Sequence, residues 1–219
     1  MSETARLCKQ ASARAVVTFI IPCDVRVETE IATSLDEIIE EWGRIDYAVN
    51  SASVYFPGAA HRISPEEFDR AMSVSCRGAM ISSREEIARM LLQGPLETHD
   101  GRAGNRGAIV NICSSGGIAS RPSCREKAAY AASRAAIISL TRADAVEYAK
   151  DNIRINCVCS GVIDIPAEIP HDDQFVAGTP MKKVGTSQEV ADAVLFLCSS
   201  KATFIHGVAL PVDGGYTAC

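Results

Sequence analysis

The run Ile109-Val110-Asn111-Ile112-Cys113 decides the fold class. A short apolar run rich in β-branched residues is typical of a strand that is buried on both faces. A long helix with an apolar face is predicted over residues 127–149, and a further apolar strand over residues 153–159. Strands that alternate with helices form parallel sheets with helices packed on both faces. The sequence therefore predicts an α/β fold built on a parallel sheet.

The same alternation extends in both directions from this run. Ser64-Pro65 marks one helix start, because serine caps a helix and proline suits its first turn. Thr186-x-x-Glu189 marks another as a capping box. The remaining predicted strands span residues 16–21, 45–50 and 208–212, and the remaining predicted helices span residues 4–11, 28–42, 64–92 and 187–199.

Composition and charge exclude several classes of protein. A chain of 219 residues that is 47% hydrophobic can bury one sizeable core, so we expect a single domain over residues 1–219. A net charge of −5 gives no electrostatic reason to expect nucleic acid or an anionic membrane as partner. No stretch reaches the roughly 18 uninterrupted apolar residues of a membrane span. The nine cysteines fall mostly in predicted strands and helices, which suits reduced thiols and a cytoplasmic location.

A set of short motifs carries a resemblance to a known family. The motifs are Asp24-Val25, Asn50-Ser51-Ala52-Ser53, Ile109-Val110-Asn111-Ile112-Cys113-Ser114, Tyr130-Ala131-Ala132-Ser133-Arg134, Ile153-Arg154-Ile155-Asn156 and Val212-Asp213-Gly214-Gly215. In this order and at nearly this spacing, the chain resembles the short-chain dehydrogenase/reductase family. The resemblance implies a Rossmann-type doubly wound sheet, hydride transfer with NAD or NADP, and a dimer or tetramer.

The chain departs from the family at the place where a dinucleotide is anchored. A dinucleotide site needs a strand, a glycine-rich turn and a helix N-terminus, and no such turn precedes Asp24. The spacing Gly101-x-x-Gly104-x-x-Gly107 runs into a predicted strand instead of leaving one, so we interpret it as a surface loop. We therefore expect a divergent, N-terminally truncated member that lacks the family's first β-α-β unit and binds neither NAD nor NADP. To close the resulting gap in the sheet, strand 16–21 is predicted to pair in parallel with residues 45–49.

The resemblance also assigns four candidate catalytic residues. Ser114 and Tyr130 match the family's serine and general acid/base tyrosine, whereas Arg134 stands at its lysine position and Ser75 at its asparagine position. A guanidinium one helical turn from a phenol favours the phenolate, but its own pKa is too high for it to relay a proton. The four histidines have no partners at ligand spacing, so no metal site is predicted.

Three functions follow from these residues. The favoured one is a cofactor-independent enzyme that acts on a small organic metabolite by non-redox acid/base chemistry, namely isomerisation, dehydration or cyclisation. The first alternative is an NAD(P)-dependent oxidoreductase. The second is a catalytically silent interaction subunit. The expected partners are a small-molecule substrate and further copies of the chain, as a homodimer or homotetramer.

Overall fold

A computed structural model of the chain describes residues 2–11, 16–98, 100–120, 128–164 and 173–218, with the backbone alone at residues 2, 11 and 173–175. The helices are α1 (Ser2–Ala11), α2 (Glu28–Trp42), α3 (Pro65–Ala71), α4 (Gly78–Met90), α5 (Ala128–Tyr148), α6 (Asp173–Gly178) and α7 (Ser187–Cys198). The strands are β1 (Tyr47–Asn50), β2 (Gly107–Ser114), β3 (Ile153–Ser160), β4 (Ile163–Asp164), β5 (Gly185–Thr186) and β6 (Ala209–Val212).

The main sheet confirms the predicted parallel α/β class. Its order is β1-β2-β3-β6, and every neighbouring pair is parallel. The register places Asn50 opposite Asn111 and Ser114 opposite Ser160. The polar ends of β1, β2 and β3 therefore lie along one edge of the sheet. Strands β4 and β5 form a separate two-stranded sheet.

The predicted helix starts form as the local chemistry requires. Ser64 accepts a hydrogen bond from the Glu67 amide, and the Glu67 carboxylate accepts one from the Ser64 amide. Thr186 and Glu189 make the same reciprocal pair at the start of α7. Each box satisfies two amides that a helix start leaves unpaired, which confirms both predicted starts.

The predicted helix over residues 64–92 is interrupted. A π-helical turn, Met72–Arg77, separates α3 from α4. Turns of this kind are rare inside helices and are frequent at functional sites. This one packs against α5 and carries Ser75.

The core lies on both faces of the sheet. On one face, Val110 and Val158 pack with Leu197 of α7. On the other, Ile109 and Ile155 pack beneath α4 and α5. Side chains alternate between the two faces of a strand, so β2 and β3 are apolar on both, as a doubly covered parallel sheet requires.

The predicted strand over residues 16–21 is wrong. No regular secondary structure forms there, and within the described chain the only neighbour of β1 is β2. Val17 and Phe19 are exposed, and the Phe19 ring contacts Trp42 at a centroid distance of 6.4 Å. The prediction rested on β-branched composition, which favours a strand only where a partner strand supplies hydrogen bonds.

All seven cysteines in the described part of the chain are free thiols, and Cys113, Cys157 and Cys159 are buried. Among the described helices, none is long and apolar enough to cross a membrane.

Candidate active site

The candidate residues lie near the carboxyl ends of β1 and β2 and on the helix that follows β2. Asn50 and Ser114 end their strands, and Tyr130 and Arg134 lie in the first two turns of α5. In open α/β sheets, ligands bind in the crevice beyond the carboxyl ends of the strands. The parallel topology therefore places these residues where the fold binds small molecules.

Tyr130 and Arg134 form a stacked pair. The guanidinium carbon of Arg134 lies 4.8 Å from the centroid of the Tyr130 ring, which is within cation–π distance. Arg134 Nη1 also donates a hydrogen bond of 3.1 Å to the carbonyl oxygen of Ile112 in β2. Arg134 thus connects the tyrosine to a strand position two residues before Ser114.

Ser114 caps the short turn that follows β2. Its hydroxyl oxygen accepts a hydrogen bond of 3.2 Å from the Gly116 amide. The turn lies directly on α5, because a β-carbon at Gly117 would be 2.8 Å from the carbonyl carbon of Arg134. Glycine at this position lets the backbone approach so closely. The turn therefore holds Ser114 against the helix that carries Tyr130.

Two buried polar atoms near α5 have no hydrogen-bond partner among the described residues. They are Oγ of Ser75, in the π-helical turn, and Nε of Arg134. Ser75 is fully buried and only 4% of Arg134 is exposed. Unpaired buried polar groups are costly and rare in folded proteins, so each one calls for a physical explanation.

The four predicted site residues are thus brought together to different degrees. Tyr130 and Arg134 are in direct contact, and the Ser114 turn packs on their helix. Ser75 lies in a neighbouring element that packs on α5, but its hydroxyl makes no hydrogen bond in the described structure.

Tyr55 joins the candidate site, although no motif in the sequence points to it. Its ring meets the Tyr130 ring edge-on, with centroids 5.5 Å apart and an interplanar angle of 85°. Tyr55 lies in the loop after β1, 75 positions before Tyr130 in the sequence. Only the long-range packing of that loop reveals the contact.

Glu86 is the second residue that the sequence did not indicate. Asn50 Nδ2 donates to Glu86 Oε2 at 3.1 Å and to Asn111 Oδ1 at 3.1 Å, and Asn111 Nδ2 donates to Thr141. Burial raises the pKa of Glu86 to about 7, and the hydrogen bond from Asn50 opposes part of that rise. A carboxyl group on the buried face of α4, between Ile81 and Met90, was the available signal.

No metal centre is present among the residues that the structure describes, where no group of three or more His, Cys, Asp or Glu side chains is placed to hold an ion. His206 serves the fold instead: its Nδ1 accepts a hydrogen bond from the Ile155 amide at 3.1 Å. His99 and His171 lie outside the described residues.

Comparison with known proteins gives a consistent result over the whole chain. A family model described as Enoyl-(Acyl carrier protein) reductase matches residues 1–217. The chain is 36% identical to a 2-(R)-hydroxypropyl-CoM dehydrogenase of Xanthobacter autotrophicus, over 100% of this chain and 84% of that protein. It is 35% identical to a cyclopentanol dehydrogenase of a Comamonas species, over 89% of this chain and 75% of that protein.

A solved structure supports the same relationship. A crystal structure of a candidate short-chain dehydrogenase/reductase from Burkholderia xenovorans superimposes with a TM-score of 0.87 at 29% identity. The superposition covers 100% of this chain and 81% of that one. The predicted Rossmann-type doubly wound fold is therefore confirmed.

Two expectations are overturned by these relatives. The predicted cofactor-independent, non-redox chemistry is wrong, because the similar proteins are dehydrogenases. The predicted absence of NAD or NADP is wrong for the same reason. Both expectations depended on a single motif, the glycine-rich turn, whose role is to let the backbone approach the pyrophosphate of a dinucleotide. The match over residues 1–217 also gives no support to the expected truncation.

Proposed function

Because the chain belongs to the short-chain dehydrogenase/reductase family, we propose that it is an NAD(P)-dependent oxidoreductase that interconverts a secondary alcohol and a ketone. Residues 1–219 are proposed to act as one domain. The observation that carries the proposal is the stacked Tyr130–Arg134 pair, which is tied to β2 beside Ser114. The named activities of the two dehydrogenase relatives support the choice of an alcohol as substrate.

Tyr130 and Ser114 share the proton chemistry in this proposal. In oxidation, the Tyr130 oxygen takes the proton of the alcohol hydroxyl, and in reduction it returns a proton to the carbonyl oxygen. The Ser114 oxygen already accepts from the Gly116 amide, so its own O–H is left to donate to the substrate oxygen. Arg134 holds the Tyr130 ring in place through the cation–π contact.

The residues present fit the nicotinamide end of the cofactor. A bound NAD(P) supplies the hydride acceptor or donor. The unpaired Arg134 Nε is a buried donor at the position where the family carries its ribose-binding lysine. A ribose hydroxyl oxygen near this guanidinium is a suitable acceptor, and Tyr130 lies beside it. We therefore assign Arg134 and Tyr130 to holding that end of the cofactor.

The proposal is tested with the purified chain and each nucleotide. Calorimetric titration should detect binding of NAD(H) or NADP(H), and mixing with small secondary alcohols should produce the absorbance of the reduced nucleotide. A chain that binds neither nucleotide and oxidises no alcohol would contradict the proposal.

Two replacements of Arg134 distinguish the effect of its charge on activity from the effect of its shape. We expect Arg134→Ala to lower kcat/KM by about 10–100-fold, because it removes both the stacking on Tyr130 and the bond to Ile112. Arg134→Lys keeps the charge and should retain more activity. Steady-state kinetics across pH, with thermal melting as a folding control, distinguishes them. Equal losses in both variants would show that charge is not what matters.

Self-association is proposed to use the helix faces that the family resemblance implies, namely α4 and α5. Val146 of α5 is 82% exposed, although it is apolar. We expect Val146→Lys to convert a homodimer or homotetramer into monomers at micromolar concentration, as measured by light scattering. Val49→Lys, on the exposed strand β1, is the matched control and should leave the mass unchanged.

A further inference from the structure

The Tyr55 ring contacts Tyr130 on one side and is exposed on another. Its ring packs edge-on against Tyr130, yet 38% of the residue is exposed. An aromatic residue that is half covered by a catalytic side chain and half open presents an apolar surface next to the reacting atoms. The Arg134 guanidinium already stacks on the same Tyr130 ring.

The loop that carries Tyr55 is anchored by the next residue. The Phe56 ring lies 5.9 Å from the guanidinium carbon of Arg70 in α3. Phe56 and Tyr55 therefore contact different helices, since Tyr55 meets α5 through Tyr130. A second close contact holds the loop, because a β-carbon at Gly58 would lie 3.2 Å from the Ile63 side chain. Tyr55 is consequently fixed by its surroundings.

A second exposed apolar side chain follows Ser114 closely in the sequence. Ile118 directly follows the turn that Ser114 caps, and it is exposed. Arg134, the cation that stacks on the Tyr130 ring, is itself buried. Apolar pockets recognise apolar substituents, and a few polar groups fix the reacting end.

We propose that Tyr55 determines substrate specificity by forming an apolar wall beside Tyr130, and that the preferred substrates are secondary alcohols or ketones with a cyclic or otherwise bulky apolar substituent. This inference rests on the proposed oxidoreductase function. In the proposed complex, Tyr130 and Ser114 hold the oxygen of the substrate, and Tyr55 packs against the carbon substituent.

Steady-state kinetics with cyclohexanol and 2-propanol test whether Tyr55 favours substrates with a bulky apolar substituent. We compare kcat/KM for cyclohexanol with kcat/KM for 2-propanol. Tyr55→Ala should lower the ratio of the first to the second by about tenfold, which is the discrimination usual for a small apolar contact. Most of the change should lie in KM. Tyr55→Phe keeps the ring and should change the ratio by less than about twofold. Tyr47→Ala, at the far end of β1, is the matched surface control.

A binding measurement keeps the two proposals distinguishable. Saturation-transfer NMR should show a stronger signal for cyclohexanol than for 2-propanol with the unmodified chain, and Tyr55→Ala should lose this difference. An unchanged ratio in Tyr55→Ala, or equal losses in Tyr55→Ala and Tyr55→Phe, would overturn the apolar wall. If the chain turns over no alcohol with either nucleotide, the proposed function fails, and the NMR result alone decides the role of Tyr55.

Discussion

Replacing Tyr130 with phenylalanine is expected to lower kcat by about 10²–10⁴-fold, the usual contribution of a positioned general acid/base. That loss corresponds to about 3–5 kcal/mol of activation free energy. The fold should be unaffected, because a phenylalanine ring retains both the cation–π contact with Arg134 and the edge-on contact with Tyr55. The variant removes only the phenol oxygen, which is the atom proposed to move the proton.

Two measurements support the interpretation of this variant. Thermal unfolding should give the same midpoint for Tyr130→Phe and the unmodified chain within a few degrees. Tyr148→Phe, on the same helix but packed against the core, is the matched control and should keep full activity. Full turnover by Tyr130→Phe would place the active centre elsewhere in the chain.

The second large effect is a loss of fold stability as the pH rises from 4.5 to about 7. The Glu86 carboxyl is buried, and its pKa is raised from an ordinary 4.5 to about 7. The unfolded chain therefore loses this proton at lower pH than the folded chain does. Stability from this group is present in full below pH 4.5, falls as the pH rises to about 7 and stays low above it. The difference amounts to about 3 kcal/mol.

Glu86→Gln should remove this dependence. Glutamine has nearly the same shape, carries no charge and retains a side-chain oxygen that accepts from Asn50 Nδ2. We expect the variant to exceed the unmodified chain by up to about 3 kcal/mol at pH 8 and to match it near pH 4. The measurement is urea unfolding at a series of pH values.

The neighbouring Glu85 provides the control for that experiment. Hydrogen bonding to Arg89 lowers the pKa of Glu85, so its contribution is present above its ordinary pKa and is lost only as the pH falls below it. Glu85→Gln should therefore leave the fall in stability between pH 4.5 and 7 in place. If Glu86→Gln shows the same fall as the unmodified chain, the buried carboxyl is not its cause.

The candidate site was predictable only in part. Ser114 and Tyr130 were predicted because they match the family's motifs, and Arg134 because it stands at the family's lysine position. Tyr55 and Glu86 were not found, because their roles arise from contacts across 75 and 36 positions of sequence. The role of Arg134 also changed with the structure: it stacks on the phenol ring and bonds β2, whereas the sequence suggested only a charge nearby.

The sequence by itself determined the elements whose signals are local. The helix starts at Ser64 and Thr186, the end of α2 before Gly43, and the buried strands β2 and β3 all follow from capping chemistry and apolar runs. Residues 16–21 and the pairing of β1 did not follow, because a strand forms only where another strand supplies its hydrogen bonds. Tertiary structure alone decided that edge of the sheet, the contact between Tyr55 and Tyr130 and the raised pKa of Glu86, since each depends on which distant residues come to lie beside it.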